Sequence, residues 1–320
     1  MRVYIGIDVG ASHIETGLFN ENREILARVR DVFTPPITKD TLTSLIKNTV
    51  LACLTKVNLP SSSLCRVGIG LPGIVNAQTG ALMQSYNLGI ANYLIAGELS
   101  QHFEVPVFVG NDVNCAALAE YRLGHGQGVN NFVMLSIGTG LGGGIILNGK
   151  LLEGSRFGAG EIGHMVIMNN GHPCSCGRNG CFEAYASVAA LTRQAKSAML
   201  SDRTSLMWQV CNGSLENVNG KTPFEAQRLD DATAQSVIAL YVSYLACGIG
   251  NIINMLEPDV ICIGGAVSRE GDFLLQPLQH ALMQSMGSVR EAPPHTRLLC
   301  AALGTSATLI GATFLGEDVL

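Results

Sequence analysis

Gly138-Thr139-Gly140-Leu141-Gly142-Gly143-Gly144 follows the apolar run Phe132–Ile137 and leads into Ile145-Ile146-Leu147-Asn148-Gly149-Lys150. It contains G-x-G-x-x-G, the spacing of a dinucleotide-binding turn. That turn must open directly into a helix, whose N-terminus receives the pyrophosphate. Here a second apolar strand and a turn follow instead, so the dinucleotide reading fails on context. The P-loop reading fails as well, because no Lys-Ser/Thr closes the run. What remains is a β-hairpin whose bare amides could cradle phosphate.

A second hairpin of the same character lies at the N-terminus. Asp8-Val9-Gly10-Ala11-Ser12 ends one strand, and Thr16-Gly17-Leu18-Phe19 returns. Ser136-Ile137-Gly138-Thr139-Gly140 echoes it, since both strands end in Gly plus a hydroxyl residue. Each hairpin alone is as readily structural as functional; the pair favours phosphate. A carboxylate beside such a loop makes sense where Mg²⁺ lies between them. Two lobes that each start with such a hairpin would put both turns at one cleft.

Outward from the hairpins, strand patterns fall at Val3–Asp8, Glu15–Phe19, Ile25–Val32, Arg66–Gly70, Val105–Val109, Phe132–Ile137, Gly144–Leu147, Val260–Ile263 and Arg297–Cys300. Helical patterns fall at Leu42–Leu54, Ala91–His102, Val113–Leu123, Phe182–Leu200, Ala232–Leu256, Phe273–Met286 and Ser306–Leu315. Asp112, Asp231 and Thr305 supply start signals. The mixture predicts an α/β protein with mixed sheets flanked by helices. The expected division is a small lobe of residues 1–112 plus about 301–320 and a large lobe of residues 113–300.

Glycine, at 37 of 320 residues, is well above the usual ~7% and gathers at Gly6–Gly17, Gly68–Gly73, Gly138–Gly144 and Gly264–Gly265. Each cluster ends or interrupts a strand, which points to backbone lining a ligand cleft. Only 14% of residues are charged, which excludes a disordered chain. The formal net charge of −5 without a basic run argues against nucleic acid as a partner. No stretch approaches the ~18 uninterrupted apolar residues of a membrane span, and the N-terminus lacks a signal peptide's apolar region. The cytoplasm is therefore the expected location, with the ten cysteines reduced or metal-bound.

Two constellations carry chemistry. Asp112, within Gly110-Asn111-Asp112-Val113-Asn114, stands at a strand-to-helix junction. From spacing alone a helix N-cap is the stronger reading, and a general base the functional one. His164, Cys174, Cys176 and Cys181 have the spacing H-x9-C-x-C-x4-C in a polar, glycine-rich loop. That satisfies a tetrahedral Cys3His zinc site with no open position, hence a structural metal. A redox pair would read C-x-x-C. Cys53, Cys65, Cys115, Cys211, Cys247, Cys262 and Cys300 lie in apolar patterns and read as buried thiols.

Taken together, the chain resembles the ROK family of sugar kinases, related in fold to hexokinase, actin and the heat-shock ATPases. The resemblance runs through Asp8-Val9-Gly10, Gly68-Ile69-Gly70-Leu71-Pro72-Gly73, Asn87-Leu88-Gly89 and Asn111-Asp112-Val113-Asn114-Cys115-Ala116-Ala117. It continues through the Gly138–Gly144 turn, Gly160-Glu161-Ile162-Gly163-His164, the Cys loop ending Cys181-Phe182-Glu183, and Glu257-Pro258-Asp259-Val260-Ile261-Cys262-Ile263-Gly264-Gly265.

The resemblance implies a two-lobed, actin-like (ribonuclease H-like) ATPase fold with its active site in the interlobe cleft. It also implies ATP-dependent phosphorylation of a hexose, glucose at the 6-hydroxyl, with Asp112 as general base, which overrides the N-cap preference. Asp8 would hold Mg²⁺, while Gly10, Ser12, Gly138, Thr139 and Gly140 would line the phosphates. Asn87, Asn111, Glu161, His164 and Glu183 would bind the sugar, with His164 also on zinc. Gly264 and Gly265 would admit the adenine moiety.

A homodimer is implied too. The alternatives are allose, mannose, fructose, N-acetylmannosamine or N-acetylglucosamine as substrate, or a sugar-sensing regulator without turnover. Ala11-Ser12-His13 stands where the family usually reads Gly-Thr-Lys, so the hydroxyl is kept and the lysine charge is lost. Some members carry an N-terminal helix-turn-helix, for which this chain leaves no room before the first hairpin, so no DNA-binding role is expected.

Overall fold

The computed structural model describes residues 2–286 and 295–317. The chain opens with a meander of β1 (Val3–Val9), β2 (His13–Phe19) and β3 (Ile25–Val32). Helix α1 (Lys39–Lys56) then leads to β4 (Leu64–Leu71), which runs parallel to β1. A separate three-stranded sheet follows, β5 (Ile74–Asn76), β6 (Ala81–Ser85) and β7 (Ile90–Tyr93). Helix α2 (Ile95–Phe103), β8 (Val107–Asn111) and α3 (Asp112–Leu123) complete this portion. The main sheet has the order β3-β2-β1-β4-β8.

The pattern then repeats. β9 (Phe132–Ile137), β10 (Leu141–Leu147) and the short β11 (Lys150–Leu151) precede the helices α4 (Glu183–Ala186), α5 (Val188–Ser201), α6 (Met207–Val210), α7 (Thr222–Gln227) and α8 (Ala232–Leu256). β12 (Val260–Gly265), α9 (Asp272–Met286), β13 (Arg297–Cys300) and α10 (Ala307–Ala312) end the described chain. The second sheet has the order β11-β10-β9-β12-β13, the same topology strand for strand as the first. The echo between the two glycine hairpins is thus the trace of a repeated architecture.

Contacts divide the chain into two compact units. One holds the residues up to Gly128, Gly144–Gly160 and the chain from Ala302 onward; the other holds Val129–Gly143 and Glu161–Ala301. The boundary expected after residue 112 therefore falls after Gly128, and residues 144–160 also belong to the first unit. The cause is packing: α3 lies against α10, both in the first unit. Gly311 permits it, because a Cβ there would overlap the carbonyl oxygen of Cys115, and Gly6 and Gly68 likewise let α10 lie on β1 and β4, against the carbonyl oxygens of Leu309 and Ala312. The C-terminal part expected in this unit is borne by α10; residues 318–320 of that range lie outside the described residues.

Other differences have local causes. The helix expected at Ala91–His102 starts only at Ile95, because Ile90–Tyr93 pairs with β6. The pattern at Phe182–Leu200 breaks at Ser187, whose hydroxyl caps α5 through Ala190 N–H. α8 spans the expected Ala232–Leu256, capped by Asp231 through Ala234 N–H at 2.6 Å. It is long and apolar enough to cross a membrane, yet most of its apolar window is buried inside the protein, as befits a core helix. Among the cysteines outside the loop, Cys53, Cys115, Cys211 and Cys262 are buried as expected, whereas Cys247 is exposed on α8.

Candidate active site and metal centre

In the first unit the parallel strands align the candidate groups. Asp8 pairs with Gly70 on β4, and Gly70 with Gly110 on β8. Asn111 and Asp112 follow directly, so both carboxylates lie at the carboxyl ends of parallel strands, where ligands bind in open α/β sheets. Burial pushes the Asp8 carboxyl up to about 7, with the negative charges of Asp112 and Glu15 adding to it. Such a group holds its proton near neutrality unless a cation replaces it. A buried carboxyl facing a second carboxylate is a donor set that fits Mg²⁺.

The N-cap of α3 is Asn111, not Asp112. Asn111 Oδ1 accepts Val113 N–H at 2.9 Å and Asn114 N–H at 3.1 Å, while its Nδ2 donates to Gly73 O at 3.2 Å. Asp112 becomes the first helical residue, its Oδ1 accepting Val113 N–H at 3.0 Å. The peptide dipoles favour negative charge there. The sugar-binding role expected of Asn111 thus stands beside a structural one, with one of its two Nδ2–H donors given to Gly73 O.

The first hairpin turn closes through Gly10 N–H to His13 O at 2.9 Å, leaving Ala11 and Ser12 exposed at the tip. The His13 imidazole covers Gly10, where a Cβ would overlap the ring. Burial, and then the charge of Arg30, holds His13 below the usual histidine range. Asn87 stands exposed in the turn between β6 and β7.

In the second unit the glycine run forms the expected β9–β10 hairpin, although β10 already begins at Leu141. Gly138 N–H donates to Gly140 O at 2.9 Å, and Gly138 O accepts Val188 N–H at the start of α5 at 2.8 Å. Thr139 is exposed at the tip. Among the described residues beyond its chain neighbours, none comes within 4 Å of where a Gly138 Cβ would be, so the fold itself does not require that glycine. Gly265 differs: its φ of +81° and the nearby Ile137 carbonyl exclude a side chain. Gly264 is buried under the Met134 side chain, so packing accounts for it. Of the pair only Gly265 is exposed.

The Cys loop assembles as its spacing predicts. His164, Cys174, Cys176 and Cys181 offer ligand atoms that all lie within 4.8 Å of one another. Cys176 Sγ and Cys181 Sγ are 3.6 Å apart, and Cys174 Sγ lies 3.6 Å from His164 Nδ1. With Zn–S near 2.3 Å, a tetrahedral edge is about 3.8 Å, so the four donors fit zinc. Pairing of Val166 with Cys181 and Pro173 with Asn179 closes the loop. The Arg178 backbone N–H, aided by its guanidinium, holds the Cys176 thiol down to about 6, the thiolate that a metal needs.

With Nδ1 toward the sulfurs, His164 Nε2 faces Glu161, 3.9 Å from its Oε2. Glu183 links the loop to the hairpin. Its Oε1 accepts the Ser175 hydroxyl at 3.0 Å and lies 3.6 Å from Cys174 Sγ, while Oε2 accepts Leu141 N–H at 2.9 Å. Sequence reasoning found Glu183 but not this double attachment, because no spacing shows that the Gly138–Gly144 turn and the Cys loop meet at one side chain.

Comparison with known proteins places the chain in a family. The model of the ROK family matches residues 4–319. A glucokinase from Halalkalibacterium halodurans is 34% identical over 98% of this chain and 94% of its own length. An N-acetylmannosamine kinase from Haemophilus influenzae is 32% identical over 79% of this chain and 78% of its own. Among solved structures, a ROK family glucokinase from Streptomyces griseus in complex with glucose and AMPPNP superposes with a TM-score of 0.84. It is 32% identical, and the match covers 98% of each chain.

Proposed function

The chain belongs to the ROK family, and from that premise we propose that it is an ATP-dependent hexose kinase that phosphorylates glucose on its 6-hydroxyl. The observation that carries this reading is the capping of α3 by Asn111, which takes the role that the sequence alone assigns to Asp112. Asp112 then accepts the proton of the sugar hydroxyl as that oxygen attacks the γ-phosphate of ATP, and ADP leaves. Phosphoryl transfer of this kind is driven mainly by positioning and charge stabilisation.

Support for glucose and ATP comes from the similarity to glucokinases over nearly the whole chain, one of them solved with glucose and AMPPNP. In this reading Ser12 and Thr139 present their hydroxyls to the phosphates, Gly10, Gly138 and Gly140 keep the backbone of the two turns open to them, and Gly265 leaves room for the adenosine. Glu161, His164 and Glu183 hold the sugar hydroxyls, with Asn87 and the Asn111 amide as further contacts. Mg²⁺, when bound, neutralises charge on the transferring phosphates, and Asp8 is the residue that would hold it.

Zinc, when bound, fixes the ring of His164 through Nδ1 and leaves Nε2–H to donate to a sugar oxygen. Cys174, Cys176 and Cys181 complete its four ligands, so its role is structural. We place the protein in the cytoplasm as a homodimer, with the exposed Leu240 and Met255 of α8 as candidate contact residues.

The test is a coupled ADP-release assay with Mg-ATP across a hexose panel. Turnover on glucose well above every other sugar is the expected result. Turnover on N-acetylmannosamine instead would move the substrate to that of the Haemophilus relative, and sugar binding without any turnover would make the protein a regulator.

A further inference from the structure

Within the first unit, an arginine cluster stands at the opposite end of the parallel strands from Asp8 and Asp112. Arg66 lies near the start of β4 and Arg122 in the last turn of α3. Arg23 sits in the β2–β3 turn, held in a left-handed conformation with φ of +63°. Their shared partner is Glu317, just beyond α10. Arg23 and Arg66 both bond its Oε1, and Arg122 Nη1 lies 3.8 Å from its Oε2. Two rings form the floor. The Arg23 guanidinium is 4.1 Å from the Tyr4 ring centre and 5.0 Å from that of Phe314. Arg66 lies 5.3 Å over Tyr4, and Arg122 5.4 Å over Phe314.

Among the described residues, the charge and the hydrogen bonds around Arg23 and Arg66 do not close. Arg23 and Arg66 share a single carboxylate oxygen, so two positive charges meet one negative charge there. The Arg23 side chain is only 8% exposed, yet its Nε and Nη1 are buried without a hydrogen-bond partner among the described residues, as is Arg66 Nε. Cation–π contact offsets part of the desolvation, but a ring face does not replace an acceptor. Buried donors left unpaired call for an anion. The position is far from the proposed chemistry: four residues of β1 separate Tyr4 from Asp8, about 13 Å, and ten residues of α3 separate Arg122 from Asp112, about 15 Å.

We propose that Arg23, Arg66 and Arg122 form a binding site for a phosphate group, with the Glu317 carboxylate as its internal competitor. Guanidinium forks match phosphate oxygens in bidentate geometry, and a phosphate dianion offers both the charge and the acceptors that one carboxylate does not. Entry of phosphate releases Glu317 to solvent. The site is independent of the kinase reading and stands whether or not the protein turns over a sugar.

Thermal melting tests it, in about 10 mM inorganic phosphate against sodium chloride of matched ionic strength, with glucose 6-phosphate as a separate arm. A midpoint rise of roughly 2 °C or more is expected in phosphate over chloride. Glu317→Gln, which removes the competitor, should enlarge the rise, and Arg66→Met should abolish it. If Arg66→Met does not fold, the comparison of Glu317→Gln with the unaltered protein decides. A rise in glucose 6-phosphate that Arg66→Met abolishes assigns the site to phosphate monoesters as well, and an Arg66-dependent rise in inorganic phosphate alone assigns it to the free ion. No rise over chloride in either the unaltered protein or Glu317→Gln would overturn the proposal. So would an undiminished rise in folded Arg66→Met, because the phosphate would then be bound elsewhere.

Discussion

Glu183 Oε2 accepts the backbone N–H of Leu141 at 2.9 Å, at the point where the glycine turn becomes β10. The same side chain reaches Ser175 Oγ in the Cys loop with its other oxygen, so one carboxylate fixes two segments far apart in sequence. Glu183→Ala should therefore cost about 2 kcal/mol of stability, the order expected for hydrogen bonds to a charged acceptor. Glu183→Gln, which keeps one acceptor, should cost less. Urea unfolding of the two variants measures both, and equal, negligible losses would show that the linkage is not structural.

Gly138 and Gly265 end neighbouring parallel strands, yet they should respond differently to alanine. Gly265→Ala forces a Cβ into the Ile137 carbonyl at a positive φ and should destabilise the protein by at least about 2 kcal/mol. Gly138→Ala meets no atom within 4 Å and should melt close to the unaltered protein. If phosphate approaches that backbone, the KM for ATP in Gly138→Ala should nevertheless rise about tenfold. Unchanged ATP kinetics in this variant would remove Gly138 from the phosphate site.

The Asp8 carboxyl, raised by burial and by Asp112, makes stability depend on pH. In the unfolded chain it ionises near 3.8, and in the folded protein near 7. Between those values the folded state binds more protons, so this group's contribution to stability falls as pH rises from about 4 to 7. Asp8→Asn removes the penalty and should stabilise the metal-free protein by about 2 kcal/mol at pH 8, with little change at pH 4. Melting curves at the two pH values decide it, and the same variant should lose turnover.

Metal analysis should find about one zinc per chain, reduced in Cys176→Ser. Chelation should lower the melting temperature and raise the KM for the sugar more than that for ATP, because His164 loses the ligand that aims its ring. An equal rise in both KM values would indicate general unfolding rather than a loss of aim.

Much of this was legible in the residues because the determinants were local. The β9–β10 hairpin followed from a strand on each side of Gly138–Gly144, and the metal loop from four ligands within eighteen residues. α8 was readable to the residue, since Asp231 caps it and the helical apolar pattern runs on to Leu256.

What escaped depended on partners distant in sequence. The small sheet of β5, β6 and β7 has strands of three to five residues, too short to show alternation. The exchange of capping between Asn111 and Asp112 is invisible in sequence, because both residue types are good caps. The extension of the first unit through Gly128 rests on α10 packing against α3, nearly two hundred residues away, and no pattern in α3 announces it.

The most direct test of the central claim is the turnover of Asp112→Asn with Mg-ATP and glucose, measured beside glucose binding by the same variant. If Asp112 is the general base, kcat should fall about 10³-fold while the glucose Kd changes by less than about threefold. A variant that binds glucose normally and still turns over within about tenfold of the unaltered protein would contradict the assignment.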